Sequence, residues 1–209
     1  MTAIRFRLVF AGLALGFLVG CAHQVPANPN RAAIPTQTSK LPLNVGVYFS
    51  STFEGYQLSE SKWGDTWNFT NLGQASAYQF REALEEKFIK VVKLKSAPGK
   101  QQATEPPLDL VLVPEIQAYN FDIPLTKFQV YPATITYKLN LYEGDALVAS
   151  PMANGVGDTT GSPGPDFSEN PSRSASRAIE EGVNKAIAVI VDSPQVQNLV
   201  KQRKQADAR

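Results

Sequence analysis

The chain has 209 residues, with 20 basic and 19 acidic side chains, one histidine and one cysteine. A formal charge of +1 leaves no electropositive footprint of the kind nucleic acid requires. One cysteine excludes an internal disulfide, and one cysteine with one histidine excludes a zinc cage built from those ligands.

The first residues read MTAIRFRLVFAGLALGFLVG. Arg5 and Arg7 form a positive n-region, and Leu8 to Gly20 is an uncharged, largely apolar run of 13 residues. A helix crossing the hydrocarbon core needs roughly 20 apolar residues. Thirteen is the length of a signal-peptide h-region, and small residues close the segment as a cleavage site requires. Residues 1–20 are therefore read as a signal peptide. Removing it takes away both arginines, which leaves 18 basic against 19 acidic side chains and a charge of about −1.

Residues 22 to 40 read AHQVPANPNRAAIPTQTSK, with prolines at 26, 29 and 35 and no hydrophobic period. Such a segment buries too little apolar surface to offset its ordering entropy, so residues 21–40 read as a flexible tether. Residues 41–195 read as one domain, and 196–209 as a charged tail that frays.

The domain opens on Leu43, Val45, Val47 and Phe49, which alternate as in a strand with one apolar face. A helix is expected from Asn71, where Asn71 and Gln74 fit a capping box. Leu72, Ala75, Phe80, Leu84, Phe88 and Val91 continue it at helical spacing. Residues 96–107 form a polar turn region. Leu108 to Pro114 is a short, nearly continuous apolar run that reads as a strand buried on both faces. From Tyr131 to Leu141, apolar residues occupy every second position. Glu143-Gly144-Asp145 makes a turn into a returning strand at Ala146 to Ser150. A Gly- and Pro-rich loop follows from Gly155 to Pro171. Asn170-Pro171 then fits the start of a helix running to about Val191, with Ala175, Ile179, Val183, Ile187 and Ile190 on its buried face.

The expected order is β-α-β-β-β-α. This is an α+β fold of the α/β-sandwich kind, a mixed sheet of about four strands with two helices packed on one face.

Leu18-Val19-Gly20-Cys21 resembles the lipobox of bacterial lipoproteins. In that family the cysteine is acylated and becomes the new N-terminus. The resemblance implies lipidation of Cys21 and attachment to a membrane through its acyl chains, a far firmer hold than a single chain gives. Ala22 stands where an aspartate retains many such proteins in the inner membrane, so the resemblance implies the outer membrane, periplasmic face. Leu43 to Phe49, "FREALEEKFIKVVKL", "LDLVLVPEI" and "ITYKLNLYEGDALVAS" together resemble the small domain of penicillin-binding-protein activator lipoproteins, curli-export lipoproteins and the N-terminal domain of TolB. That likeness is one of pattern and transfers no functional residue.

No catalytic set stands out. His23 lies in the expected tether, where nothing would hold it against a nucleophile. Glu54, Asp65, Asp109, Glu115 and Asp122 are candidate carboxylates for glycoside chemistry, but their spacing pairs no two of them. Asp158 and Asp166 lack the acidic spacing of a calcium loop. The reading is a protein that is not an enzyme and takes no metal and no cofactor.

Residues 50–70, SSTFEGYQLSESKWGDTWNFT, carry five aromatic side chains: Phe53, Tyr56, Trp63, Trp67 and Phe69. Loops ordinarily run over the surface and are polar. Two readings fit this one. The rings fold back to cap the core, as a short extra strand would, or some stay accessible and dock on a partner, as tryptophan and tyrosine do at binding hot spots. Stacking on sugar rings is a third use. The turn from Tyr119 to Pro124 is a second candidate surface. The functional expectation is a lipid-anchored accessory protein that docks on an envelope protein complex. The alternatives are a lipid- or glycan-binding lipoprotein and a carboxylate-based cell-wall hydrolase.

Overall fold

The computed structural model describes residues 21–29, 39–99, 107–124, 131–158 and 169–207. Residues 1–20, expected as a signal peptide, residues 30–38 of the expected tether and residues 159–168 of the expected Gly- and Pro-rich loop lie outside the described residues.

The described chain forms nine strands and four helices. They are β1 (Ala22–Pro26), β2 (Leu41–Val47), α1 (Ser51–Glu54), β3 (Leu58–Lys62), β4 (Asp65–Thr70), α2 (Leu72–Lys87), β5 (Phe88–Lys93), β6 (Leu110–Phe121), β7 (Ala133–Glu143), β8 (Ala146–Ala149), β9 (Met152–Gly157), α3 (Glu169–Val191) and α4 (Pro194–Asp207). The class is α+β as expected, but there are two sheets and more strands than four. The larger has the order β5-β2-β6-β7-β8, with β9 also paired to β7; the smaller has the order β1-β4-β3.

In the larger sheet β2 runs parallel to β5 and β6, and β7 is antiparallel to β6, β8 and β9. The register places Val45 beside Leu110, Val47 beside Leu112, and Leu112 beside Leu141. These side chains share one face and belong to a core with Ile135, Tyr137 and Leu139. Phe80 and Leu84 of α2 and Ile179, Val183 and Ile187 of α3 belong to the same core.

The expected elements are present with shifted ends. Helix α2 stops at Lys87, because Phe88 turns to extended backbone (φ −118°) and Ile89, Val91 and Val92 continue as β5. A β-branched run packs well on a pleated surface and loses rotamer freedom in a helix, so the helix expected to reach Val91 gives way to a strand. Asn71 sits in the left-handed region (φ 63°) and makes no side-chain cap bond, so the expected capping box does not form. The returning strand after Gly144 is split. β8 pairs residues 141–143 of β7, and β9 takes over along residues 133–138.

Strand β9 turns Ala153, Gly155 and Gly157 inward, and α3 lies directly on them. A Cβ on Gly155 would come within 1.9 Å of the Ala178 carbonyl oxygen and 2.3 Å of the Gly182 nitrogen. Glycine is needed there for the close approach of helix and strand backbones.

The C-terminal segment expected to fray is helix α4. Its Val196 and Val200 are buried in the core, and Arg203 donates from Nε and Nη2 to Asp109 Oδ1 at 3.0 and 2.6 Å. Among the described residues no helix is long and apolar enough to cross a membrane.

Candidate functional site

The residues nearest the expected anchor form the smaller sheet. β1 begins one residue after Cys21 and pairs in parallel with β4, from Ala22 beside Thr66 to Pro26 beside Thr70. This corrects the expectation of a tether from residue 21 to 40, since residues 22–26 are a strand built into the domain. The physical reason is that β4 offers a partner edge. With only Val25 strongly apolar, β1 has little tendency of its own, yet pairing satisfies its backbone and Val25 and Ala27 are both buried.

Both ends of β1 are fastened. At its start the Thr66 amide donates to the Cys21 carbonyl at 2.9 Å, and the Cys21 amide donates to Asp65 Oδ1 at 3.1 Å. At its end the Ala27 amide donates to the Thr70 carbonyl at 3.0 Å, and the Asn28 amide donates to Ser176 Oγ on α3 at 3.1 Å. His23 is held too, which its expected place in a tether did not allow. Its ring stacks on Trp67 with centroids 4.2 Å apart and planes at 18°, and its Nε2 lies 3.3 Å from Asp65 Oδ2. Asp65 thus clasps Cys21 with one oxygen and His23 with the other. The Cys21 side chain is exposed.

The five loop aromatics separate into two groups. Phe53 of α1 is buried against Phe49 and Phe80. Trp67 and Phe69 of β4 face inward and pack on Phe121, with centroids at 5.4 and 4.7 Å. Tyr119 joins this cluster through Phe69 and Tyr131 through Phe121, so the Tyr119–Phe121 end of β6 is core. Tyr56 is half-buried; burial raises its pKa, partly offset by a backbone hydrogen bond to Tyr119. The Trp67 indole nitrogen and the Tyr119 hydroxyl are buried with no hydrogen-bond partner among the described residues.

Trp63 is the exception. It is 67% exposed, the most exposed large apolar side chain among those described. It occupies the tip of the β3–β4 hairpin, where Lys62 pairs with Asp65 and a two-residue loop joins them. Both loop residues have positive φ, 58° at Trp63 and 88° at Gly64, the pattern of a type I′ hairpin turn. Gly64 suits that conformation, whereas a tryptophan there costs about 1–2 kcal/mol. Beside the tip, the Lys62 ammonium donates to the Phe121 carbonyl and lies 3.2 Å from Glu60 and 3.9 Å from Asp122.

Each candidate carboxylate has its own partner. Glu54 pairs with Lys93 at 2.7 Å, Asp109 with Arg203, and Asp65 with His23 and Cys21. Glu115 accepts from Asn140 and Gln117, and Asp122 accepts from the Ile123 amide. A cavity of about 260 Å³ is lined by Phe53, Tyr56, Glu115 and Ile116, among others. On the sheet face away from the core, Leu147, Met152 and Val156 are each more than half exposed.

No protein-family model and no curated protein matches this chain. Its fold is similar to that of a Helicobacter pylori protein assigned as a neuraminyllactose-binding hemagglutinin homolog, at 13% identity and a TM-score of 0.53, over 87% of this chain and 100% of that one. Weaker likenesses join it to a Xanthomonas campestris protein of family DUF330 (14% identity, TM-score 0.43, 90% of this chain and 99% of that one). A Caulobacter crescentus protein assigned as a lipoprotein stands at 11% identity and a TM-score of 0.44, over 78% of this chain and 91% of that one. At TM-scores below 0.5 neither of these two bears on the fold.

Proposed function

We propose that this chain is a non-enzymatic lipoprotein of the outer membrane, acylated on Cys21, whose periplasmic domain docks on an envelope protein complex. The observation that carries this reading is the junction at residue 21. An h-region ends there in Leu18-Val19-Gly20-Cys21, and the folded domain begins at the next residue with the cysteine side chain exposed. A modified cysteine at that place meets solvent or lipid and disturbs no packing. Acylation confines the domain to a thin layer at the membrane and raises its effective concentration for partners there.

The docking surface follows from exposure. Phe53, Trp67 and Phe69 support the core and are unavailable to a partner; among the exposed apolar side chains, Leu147, Met152 and Val156 share one sheet face, whereas Trp63 stands alone at a hairpin tip. The test has two parts. Cys21→Ser should remove the acyl mass and shift the protein from the membrane to the soluble fraction; a membrane-bound, unacylated variant refutes the anchor. Photo-crosslinkers at Met152 and Val156, with Glu85 as an exposed control, should capture one envelope protein from the sheet face alone. Identical products at all three sites refute the docking face.

Glycan binding is the second reading. It is favoured by Tyr56 beside polar Glu115 and Gln117 in the 260 Å³ cavity, and the Helicobacter pylori neighbour is named as a homolog of a neuraminyllactose-binding hemagglutinin. Tyr56→Ala should then abolish retention on a glycan array and leave partner capture intact.

A further inference from the structure

We infer that Trp63 is a membrane-interface anchor: it sits at headgroup level beside the acylated Cys21 and, with the acyl chains, seats the domain directly on the bilayer. The inference rests on the lipid-anchor reading of Cys21 and adds a second contact to it.

Three observations converge on the hairpin tip. The first is position. The Cys21 carbonyl is hydrogen-bonded to the Thr66 amide, and the Cys21 amide to Asp65, both at the root of the turn. Thr66 follows Trp63 by three positions, which span at most about 11 Å. Acyl chains on Cys21 therefore bring lipid headgroups to the level of the indole. N-acylation converts the cysteine amine to an amide that keeps one N–H, so the bond to Asp65 survives the modification.

The second is the residue at the turn. Tryptophan in a left-handed conformation at an exposed tip has no packing to compensate for its strain. Unfavourable backbone conformations persist where function or surrounding structure requires them. Here the surrounding structure does not need the side chain, since the other inward-facing rings of the hairpin, Trp67 and Phe69, complete the core without it.

The third is the chemistry of the surroundings. Indole rings favour the membrane–water interface, where one edge is apolar and the N–H remains wet. A protein partner or a sugar would be an alternative occupant, but neither is brought to this tip by any feature of the chain, whereas lipid is. Charge plays little part. Lys62 is already engaged by Glu60, Asp122 and the Phe121 carbonyl, and Asp65 lies at the turn's other side, so the tip offers no free cation to anionic lipid.

The test is tryptophan quenching on the full mature protein, its acyl chains verified by intact mass. The protein is reconstituted in phosphatidylethanolamine–phosphatidylglycerol vesicles with or without acyl chains brominated near the headgroup. The wild type should lose the emission of one of its two tryptophans in the brominated vesicles, equally at low and high salt. Trp63→Ala, with an unchanged circular dichroism spectrum, should retain only the unquenched emission of buried Trp67. Equal quenching in wild type and Trp63→Ala overturns the inference, and so does a wild type that brominated lipid does not quench, while the acyl mass leaves the anchor standing. A protein without acyl mass overturns both.

Discussion

Val25 decides whether Cys21, the proposed anchor, is joined to the fold rigidly or through slack chain. It is fully buried in the core, and the rest of β1 offers little apolar surface of its own. Val25→Ala removes two carbon groups at about 0.8 kcal/mol each. Partial failure of the site to collapse raises the total to about 1.5–2.5 kcal/mol. Since 1.4 kcal/mol is a factor of ten in an equilibrium, the opening of β1 should become roughly 10- to 70-fold more populated. Amide hydrogen exchange reads this opening directly, because protection reports local unfolding. The Ala27 amide, bonded to the Thr70 carbonyl, and the Thr66 amide, bonded to the Cys21 carbonyl, are the reporters. Both should be protected in the wild type and exchange faster by that factor in Val25→Ala. Gln24→Ala, on the same strand but exposed, should leave both rates unchanged. An Ala27 amide that exchanges at its free-peptide rate in the wild type would mean that residues 22–27 are a tether after all, and the docked-strand account would fail.

Two further outcomes test the core that supports this sheet. The Ser76 hydroxyl donates to the Leu72 carbonyl at 2.7 Å and so must accept from the Tyr137 hydroxyl, also at 2.7 Å. Ser76→Ala strands a fully buried donor and should cost about 1–3 kcal/mol, whereas Tyr137→Phe should cost about 0.5–1.5. In chemical denaturation, adding Ser76→Ala to Tyr137→Phe should then cost almost nothing; full additivity would refute the hydrogen bond, and a larger cost for Tyr137→Phe than for Ser76→Ala would refute the assigned donor direction. Burial raises the pKa of Tyr56, Tyr119 and Tyr137 above the ordinary 10.0, with Glu60 and Tyr56 adding to the shift at Tyr119. The unfolded chain releases these protons near pH 10 while the folded one retains them, so their stabilisation is complete below pH 10 and is lost as pH rises beyond it. The denaturation midpoint should fall between about pH 9 and about pH 11, and a flat profile would refute the burial of these phenols.

Legibility in the sequence followed side-chain size. The alternation from Tyr131 to Leu141 marks β7 because large apolar residues fill its inner face. β9 has the same alternation of burial, but its inner positions are Ala153, Gly155 and Gly157, where α3 rests on the backbone. A strand whose buried side is nearly bare reads as a loop. β1 gave even less signal, two prolines within eight residues of Cys21 and a single strong apolar position, because its stability comes from β4 and not from its own composition. The hairpin was half visible. Trp67 and Phe69 alternate as strand residues do, and they took the capping role, but the separation of Trp63 from them required the turn geometry at Trp63 and Gly64. His23 and Asp65, 42 residues apart, are joined only by the pairing of β1 with β4, which no local pattern encodes.

The docking of β1 changes which partners the domain can meet. A slack linker lets a module search a wide shell, and its effective concentration falls as the linker lengthens. With Cys21 hydrogen-bonded at the root of the hairpin, the distance from anchor to fold is fixed and near zero, so an acylated chain would present the same surfaces to the membrane at all times. A partner must then come to the membrane, or β1 must open. Opening would release residues 22–29, about 26 Å of extended chain, at a free-energy cost that the exchange rate of the Ala27 amide measures. If that cost is several kcal/mol, reach is set by the docked state, and targets deep in the periplasm lie beyond it. The aromatic tip at Trp63 pulls in the same direction. A ring buried in headgroups adds to the free energy of the docked, membrane-seated arrangement, because an opened β1 would uncouple the hairpin from the level of the acyl chains. Val25→Ala and Trp63→Ala should therefore reinforce each other in loosening the domain from the bilayer, although the two residues are on opposite ends of the β1–β4 ladder and share no contact.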